Sequence, residues 1–103
     1  MESAIFRALA DPTRRAVFER LSKQEMSVSE LKSGFLVSQP AISQHLTTLK
    51  NAGLVCERRA GRHVYYRSDP GGLTPLADWV QRYRELWPAR IEKLKRVLKE
   101  IDT

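Results

Sequence analysis

A capped helix followed at once by a hairpin pattern is the feature that most limits the folds open to this chain. Residues 38–52 read SQPAISQHLTTLKNA, with a serine that can cap a helix, a proline in the first turn and Gly53 placed to end it. Two β-rich runs then flank the pair Gly61-Arg62 within about residues 54–69, as in a two-residue β-hairpin. This order predicts a winged helix-turn-helix, a mainly α fold with a β-hairpin wing.

Other helices are predicted before and after this region. An Asp-Pro pair at 11–12 starts one helix, and SVSE at 27–30 fits the capping box of a second, short one. A long last helix is predicted over about 74–101, and Pro88 should kink or break it. The length of 103 residues is typical of one domain, so residues 1–103 are predicted to form a single domain.

The outward face of the helix at 38–52 carries short, neutral side chains that can form hydrogen bonds. On a helical wheel Ile42, Leu46 and Leu49 fall together on the core side, which leaves the polar residues opposite. Glutamine can bond adenine through two hydrogen bonds, and serine and threonine can read either donors or acceptors. We therefore predict that this helix reads DNA bases through Ser38, Gln39, Pro40, Ser43, Gln44, Thr47 and Thr48.

Positive charge is concentrated beside this helix. The chain has a net charge of +6, and residues 37–67 hold five lysines and arginines against one glutamate. Such clustering favours a nucleic-acid partner over a merely basic surface. Arginines in a neighbouring hairpin can bind phosphates or the minor groove. The predicted wing contacts are Arg58, Arg59, Arg62 and His63.

The last helix carries an apolar seam that is typical of a partner surface. Apolar residues recur at steps of three and four from Leu73 to Ile101, which is longer than so small a domain needs to cover its own core. We therefore predict a homodimer, whose two reading helices would meet successive major-groove turns of a palindrome. The predicted interface residues are Ile5, Phe6, Leu9, Leu76, Val80, Tyr83, Trp87, Ile91, Leu94 and Leu98.

Several motifs together resemble the ArsR/SmtB family of bacterial dimeric repressors. ALADPTRR, SVSEL, SQPAISQHLTTLKNAGLV and GRHVYY carry the resemblance, over about residues 4–67. It implies a winged helix-turn-helix dimer that binds a double-stranded DNA operator and is released by a signal. The family usually has glycine in the turn where this chain has Leu36, with Gly34 two places earlier, so we expect a reshaped turn.

The same resemblance indicates that the family metal sites are missing. Many metal-sensing members carry ELCVCDL, whereas this chain reads EMSVSEL, with Ser27 and Ser29 at the two cysteine positions. Neutral hydroxyls do not hold zinc or arsenite as thiolates do. Other members bind metal through Asp and His of the last helix, but residues 74–103 contain no histidine. We therefore predict no metal and no cofactor.

The remaining residues favour a regulator over other classes. No glycine-rich phosphate loop, Cys/His pair or carboxylate cluster supports an enzyme. The lone Cys56 fits a cytoplasmic protein and is predicted to be a strand residue, and His45 a packed, hydrogen-bonded one. No apolar run is long enough for a membrane span. Open alternatives are a response to a small apolar ligand at the dimer seam, with Trp79, Tyr83 and Trp87 as walls, a redox response at Cys56, or non-specific architectural DNA binding. The operator, the regulated genes and repression versus activation stay open.

Overall fold

The computed structural model describes residues 2–86 and 88–102 and divides into two compact units, one ending at Leu73 and the other beginning at Thr74. The helix, turn, helix and hairpin order of a winged helix-turn-helix is confirmed in the first unit, while the single-domain organisation stays a prediction. The elements are α1 (Glu2–Ala10), α2 (Pro12–Lys23), β1 (Met26–Ser27), α3 (Val28–Lys32), α4 (Gln39–Asn51), β2 (Val55–Ala60), β3 (His63–Ser68), α5 (Thr74–Leu86) and α6 (Pro88–Asp102).

Side-chain caps fix where α2, α3 and α4 begin. The Asp11 carboxylate accepts a hydrogen bond from the Arg14 backbone N–H at 3.0 Å. At α3, the Ser27 hydroxyl accepts from the Glu30 N–H at 3.3 Å, and the Glu30 carboxylate accepts from the Ser27 N–H at 2.9 Å. The Ser38 hydroxyl accepts from a backbone N–H one turn into α4. Each cap satisfies an N–H that the helix itself leaves without an acceptor, so the predicted starts are confirmed.

The core of the first unit joins α1, α2, α3, α4 and the start of β2. Ile5 was predicted to face a partner chain, and this is wrong, because its side chain is only 1% exposed. Ala8 lies one turn further along α1 and is equally buried, so these two residues form the inner face of that helix, whereas Phe6 is exposed. The buried apolar residues are Ile5, Ala8, Val17, Phe18, Leu21, Leu31, Ile42, Leu46, Leu49, Leu54 and Val55.

The wing is part of a three-stranded antiparallel sheet in the order β1, β3, β2. Gly61 turns the hairpin with a φ of 63°, as predicted. The third strand, β1, was not predicted: Met26 pairs with Tyr66, and Ser27 with Tyr65. Two residues are too few to show a strand periodicity, so only the pairing with β3 defines this strand.

The last helical region is interrupted at Pro88, as the sequence predicted for the helix expected over about 74–101. Helix α5 ends at Leu86 and α6 begins at Pro88. Proline has no N–H to continue the hydrogen-bond ladder, but it fits the first turn of a new helix, so the break falls where the sequence predicted one. Trp87, which was predicted to face the partner, lies outside the described residues.

Candidate nucleic-acid interface

The outward face of α4 presents the polar side chains that the sequence predicted. Ile42, Leu46 and Leu49 are at most 1% exposed and anchor the helix to the core. Burying each such side chain contributes about 1.5–3 kcal/mol, so the helix is held firmly by its inner side. The opposite side is in solvent, and its exposed residues are Gln39, Pro40, Ser43, Gln44, Thr47 and Asn51.

These polar residues differ in what they can offer a ligand. The Thr47 hydroxyl donates to the Ser43 carbonyl, and the Thr48 hydroxyl donates to the Gln44 carbonyl, both at 3.1 Å. The two threonines therefore present an acceptor oxygen and a methyl group, and Thr48 is half-buried. Ser38 uses its hydroxyl as the helix cap. The side-chain amides of the exposed Gln39 and Gln44 can both donate and accept hydrogen bonds on this face.

No acidic residue occurs from residue 31 to residue 56, so nothing on this part of the chain repels phosphate. The one basic residue of α4, Lys50, lies in the last turn and forms a 2.7 Å ion pair with Glu57 of the wing. The hydrogen bond from Lys50 holds the pKa of the Glu57 carboxyl below its usual value. The charge of Lys50 is therefore compensated, and the first turns of α4 stay neutral.

His45 lies between the two sides of α4. It is half-buried, as expected of a packed histidine. Its Nδ1 has no hydrogen-bond partner among the described residues, so the hydrogen bond expected of it is not found there. The pKa of the Asp11 carboxyl is lowered chiefly by the hydrogen bond from the Arg14 backbone N–H, with a smaller electrostatic contribution from the His45 side chain of α4.

Arg58 of the wing is engaged within the protein. Its guanidinium donates to both oxygens of Glu25, at 2.6 Å and 3.3 Å, and lies 5.1 Å from the centre of the Tyr65 ring. These hydrogen bonds raise the pKa of Arg58 and lower that of Glu25. Sequence reasoning missed Glu25, because its partner is 33 positions away and is brought near only by the unpredicted strand β1.

The other predicted wing residues are placed differently. Arg62 is exposed at the hairpin tip, with no hydrogen bond or ion pair to any residue that the structure describes. Arg59 is exposed and lies on the same face of β2 as Glu57. Its positive charge helps to lower the pKa of the Glu57 carboxyl. His63 is exposed, and its ring centre lies 6.2 Å from that of Tyr65. Arg62 is thus the wing cation least occupied by neighbours.

The two serines at the start of α3 face the wing tip. Ser27, Ser29, Arg62 and His63 all line one shallow groove. The Ser27 hydroxyl is occupied by the capping box. Among the residues that the structure describes, no three His, Cys, Asp or Glu side chains cluster closely enough to hold a metal ion. The absence of a metal response stays a prediction.

The second unit exposes most of the predicted apolar seam. Val80, Tyr83, Leu94 and Leu98 are exposed, with Leu94 at 58% and Leu98 at 53%, while Leu76 is half-buried. The Trp79 and Tyr83 rings lie 4.5 Å apart, centre to centre.

The remaining interface predictions fall on α1 and on residues near the helix break. On α1, Phe6 is exposed and Leu9 is half-buried. The side chain of Ile91 lies outside the part that the structure describes. Nor does any helix in the described part combine the length and apolarity that a membrane crossing requires.

Comparison with known proteins agrees with this geometry. Residues 11–56 match the family model described as bacterial regulatory protein, arsR family. The chain is 49% identical over 78 residues to the HTH-type transcriptional regulator Rv2034 of Mycobacterium tuberculosis, covering 76% of this chain and 73% of that protein. It is 32% identical to the transcriptional repressor SdpR of Bacillus subtilis, covering 77% and 88%.

A solved structure is similar over nearly the whole chain. The ArsR-like transcriptional regulator from Rhodococcus sp. RHA1 superimposes with a TM-score of 0.75 at 32% identity, covering 92% of this chain and 90% of that one. The matched segment of the family model contains α2, α3 and α4, and so includes the helix whose outward face is the candidate interface, while most of the wing lies beyond it. The chain is therefore a DNA-binding transcriptional regulator that belongs to the ArsR family.

Proposed function

We propose that this protein is a repressor that binds a palindromic operator as a homodimer in the cytoplasm and does not sense metal. The observation that carries the proposal is the exposed, uncharged face of α4, anchored from behind by three buried aliphatic residues. Such a face can enter the major groove without repulsion and can form hydrogen bonds with base edges. A repressor that blocks a promoter needs no further protein surface, which favours repression over activation.

In this proposal α4 contacts the DNA bases, and the wing contacts the phosphates or the minor groove. Gln39, Ser43 and Gln44 are exposed and offer hydrogen bonds to bases. Arg62 stands at the tip of the hairpin with its charge uncompensated by any described neighbour, which suits contact with phosphate or the minor groove. Arg58 is assigned a smaller part, because Glu25 already binds its guanidinium.

The homodimer is supported by the exposed aliphatic residues of the second unit. Leu94, Leu98 and Ile101 expose 58%, 53% and 72% of their surface in a single chain. Apolar residues grouped along one helix at this exposure are typical of an interface between protein chains. A two-fold pair would then place two copies of α4 on one side of a DNA duplex.

Selection from random duplex DNA tests the proposal. The dimer should enrich a palindrome whose half-sites are one helical turn apart, about 34–36 Å. Its affinity for the selected site should exceed that for random duplex by at least about a thousandfold at physiological salt. Equal binding to both would replace this proposal with non-specific architectural DNA binding.

A further inference from the structure

Leu36 is an apolar side chain that the fold leaves fully in solvent. Its relative exposure is 106%, compared with 42% for Phe6 on α1. A single exposed leucine is common on protein surfaces, so its position decides whether it has a role.

Leu36 lies in the turn that joins α3 to α4, two residues before the cap Ser38. Its two neighbours are packed. Phe35 is half-buried, and the Arg20 guanidinium lies 5.6 Å from the centre of its ring; Val37 is half-buried as well. The turn thus places its other apolar side chains against the protein and leaves Leu36 alone at the surface.

Backbone conformation does not explain the leucine either. Among the described residues a positive φ occurs only at Gly53 and Gly61, so Leu36 adopts an ordinary conformation open to most residues. The turn is closed by hydrogen bonds from Gly34 to Leu31 and from Phe35 to Lys32, both at 3.1 Å. Neither intramolecular packing nor turn geometry therefore calls for an aliphatic side chain at this position.

The end of α4 that carries Leu36 is the end that meets DNA in a helix-turn-helix. The first residues of a recognition helix contact the base edges, and the residues just before its cap lie at the same end. No acidic side chain occurs between residues 31 and 56, so this end can approach the phosphates. The apolar group that the major groove displays is the 5-methyl group of thymine.

We propose that Leu36 is a further specificity-determining residue, which contacts the 5-methyl group of one thymine in each half-site. The inference rests on the proposed function and adds an apolar contact to the hydrogen bonds of α4. Burial of the methyl group and of the leucine side chain would favour thymine over bases that lack the methyl. The preference would fall at one symmetric pair of positions, because each protomer supplies one Leu36.

A combined change of protein and DNA tests this contact. After a site is selected from random duplex, each symmetric pair of thymines is replaced by deoxyuridine, which lacks only the 5-methyl group. At one pair the replacement should weaken the wild-type protein about fourfold per half-site, or about fifteenfold for the dimer, as for one buried methylene. The same replacement should not lower the DNA affinity of Leu36→Ala, whereas it should lower the affinity of Leu36→Met nearly as much as that of the wild type.

Two controls separate this contact from other effects. Leu36→Ala should keep the thermal midpoint of the wild type, because the side chain buries nothing in the fold. Gln24→Ala removes an exposed side chain of similar size outside the interface and should bind like the wild type.

The outcomes distinguish this inference from the proposed function. A contact of Leu36 with thymine is excluded if replacing each pair of thymines by deoxyuridine changes the affinity of the wild type and of Leu36→Ala by the same factor. It is also excluded if the selected half-site holds no thymine. In that case Gln44→Ala would still weaken binding to the selected site. Failure to select any site would overturn the proposed function, and the role of Leu36 with it.

Discussion

Arg58 donates two hydrogen bonds to the Glu25 carboxylate, 2.6 Å from Nη2 to Oε1 and 3.3 Å from Nε to Oε2. This pair ties the middle of the wing to the residue just before β1. It also neutralises one of the arginines that the sequence pattern assigned to DNA. The positive charge available for phosphate is therefore weighted toward the hairpin tip, at Arg62.

Releasing Arg58 should strengthen general DNA binding. Glu25→Gln removes the charge that holds the guanidinium, so affinity for all sequences should rise. If each freed Arg58 then reaches a phosphate, the slope of log affinity against log salt should steepen by about one unit per protomer. Glu19→Gln removes one negative charge from an exposed site on α2 and serves as the control. An equal effect of both variants would show that only net charge matters.

Stability should depend on pH through the cap of α2. The Arg14 N–H bonds the ionised Asp11 and lowers its pKa in the folded state. The stabilisation is therefore fully present above the ordinary aspartate pKa of about 3.9 and is lost as pH falls through the lower folded pKa. Asp11→Asn keeps a capping side chain without a titrating group, so its thermal midpoint should fall less between pH 6 and pH 3. Identical pH profiles would contradict this assignment.

The exposed residues of α6 should hold the dimer together. Sedimentation at low micromolar concentration should give about twice the chain mass of 11.8 kDa. Replacing both Leu94 and Leu98 with Glu should give a folded monomer that binds DNA poorly, since two charges cannot be buried without partners. Lys93→Glu changes charge on the same helix at an exposed position and should stay dimeric. A wild-type monomer with intact helices would refute the interface.

Soft metals should not release the protein from DNA. Ser27 and Ser29 offer hydroxyls rather than thiolates, and the Ser27 hydroxyl already caps α3. Zinc, cadmium and arsenite are titrated into the complex with the selected DNA site. Stoichiometric release at sub-micromolar metal would contradict the assignment, whereas loss of binding only at high salt or denaturing metal concentrations would not.

Local signals in the sequence predicted the parts of the fold that they control. The caps of α2, α3 and α4, the turn at Gly61 and the break at Pro88 each depend on a few adjacent residues, and all were predicted. Strand β1 and the Glu25–Arg58 pair depend on residues about 33 to 40 positions apart. The hydrophobic periodicity of a sequence shows only neighbours within one element, so it does not predict such contacts. The burial of Ile5 was missed for a related reason, because a short amphipathic helix does not reveal which partner its apolar side meets.

The separation of base reading by α4 from phosphate binding by the wing is tested by comparing Gln44→Ala with Arg62→Ala. Each protein is titrated with the selected site and with random duplex over a range of salt. Gln44→Ala should cost about 1–3 kcal/mol per half-site on the selected DNA and little on random duplex. Arg62→Ala should weaken both alike and lower the salt slope by about one unit for each phosphate that the variant no longer binds. If the ratio of selected to random affinity changes by the same factor in Gln44→Ala and in Arg62→Ala, the division between helix and wing is wrong.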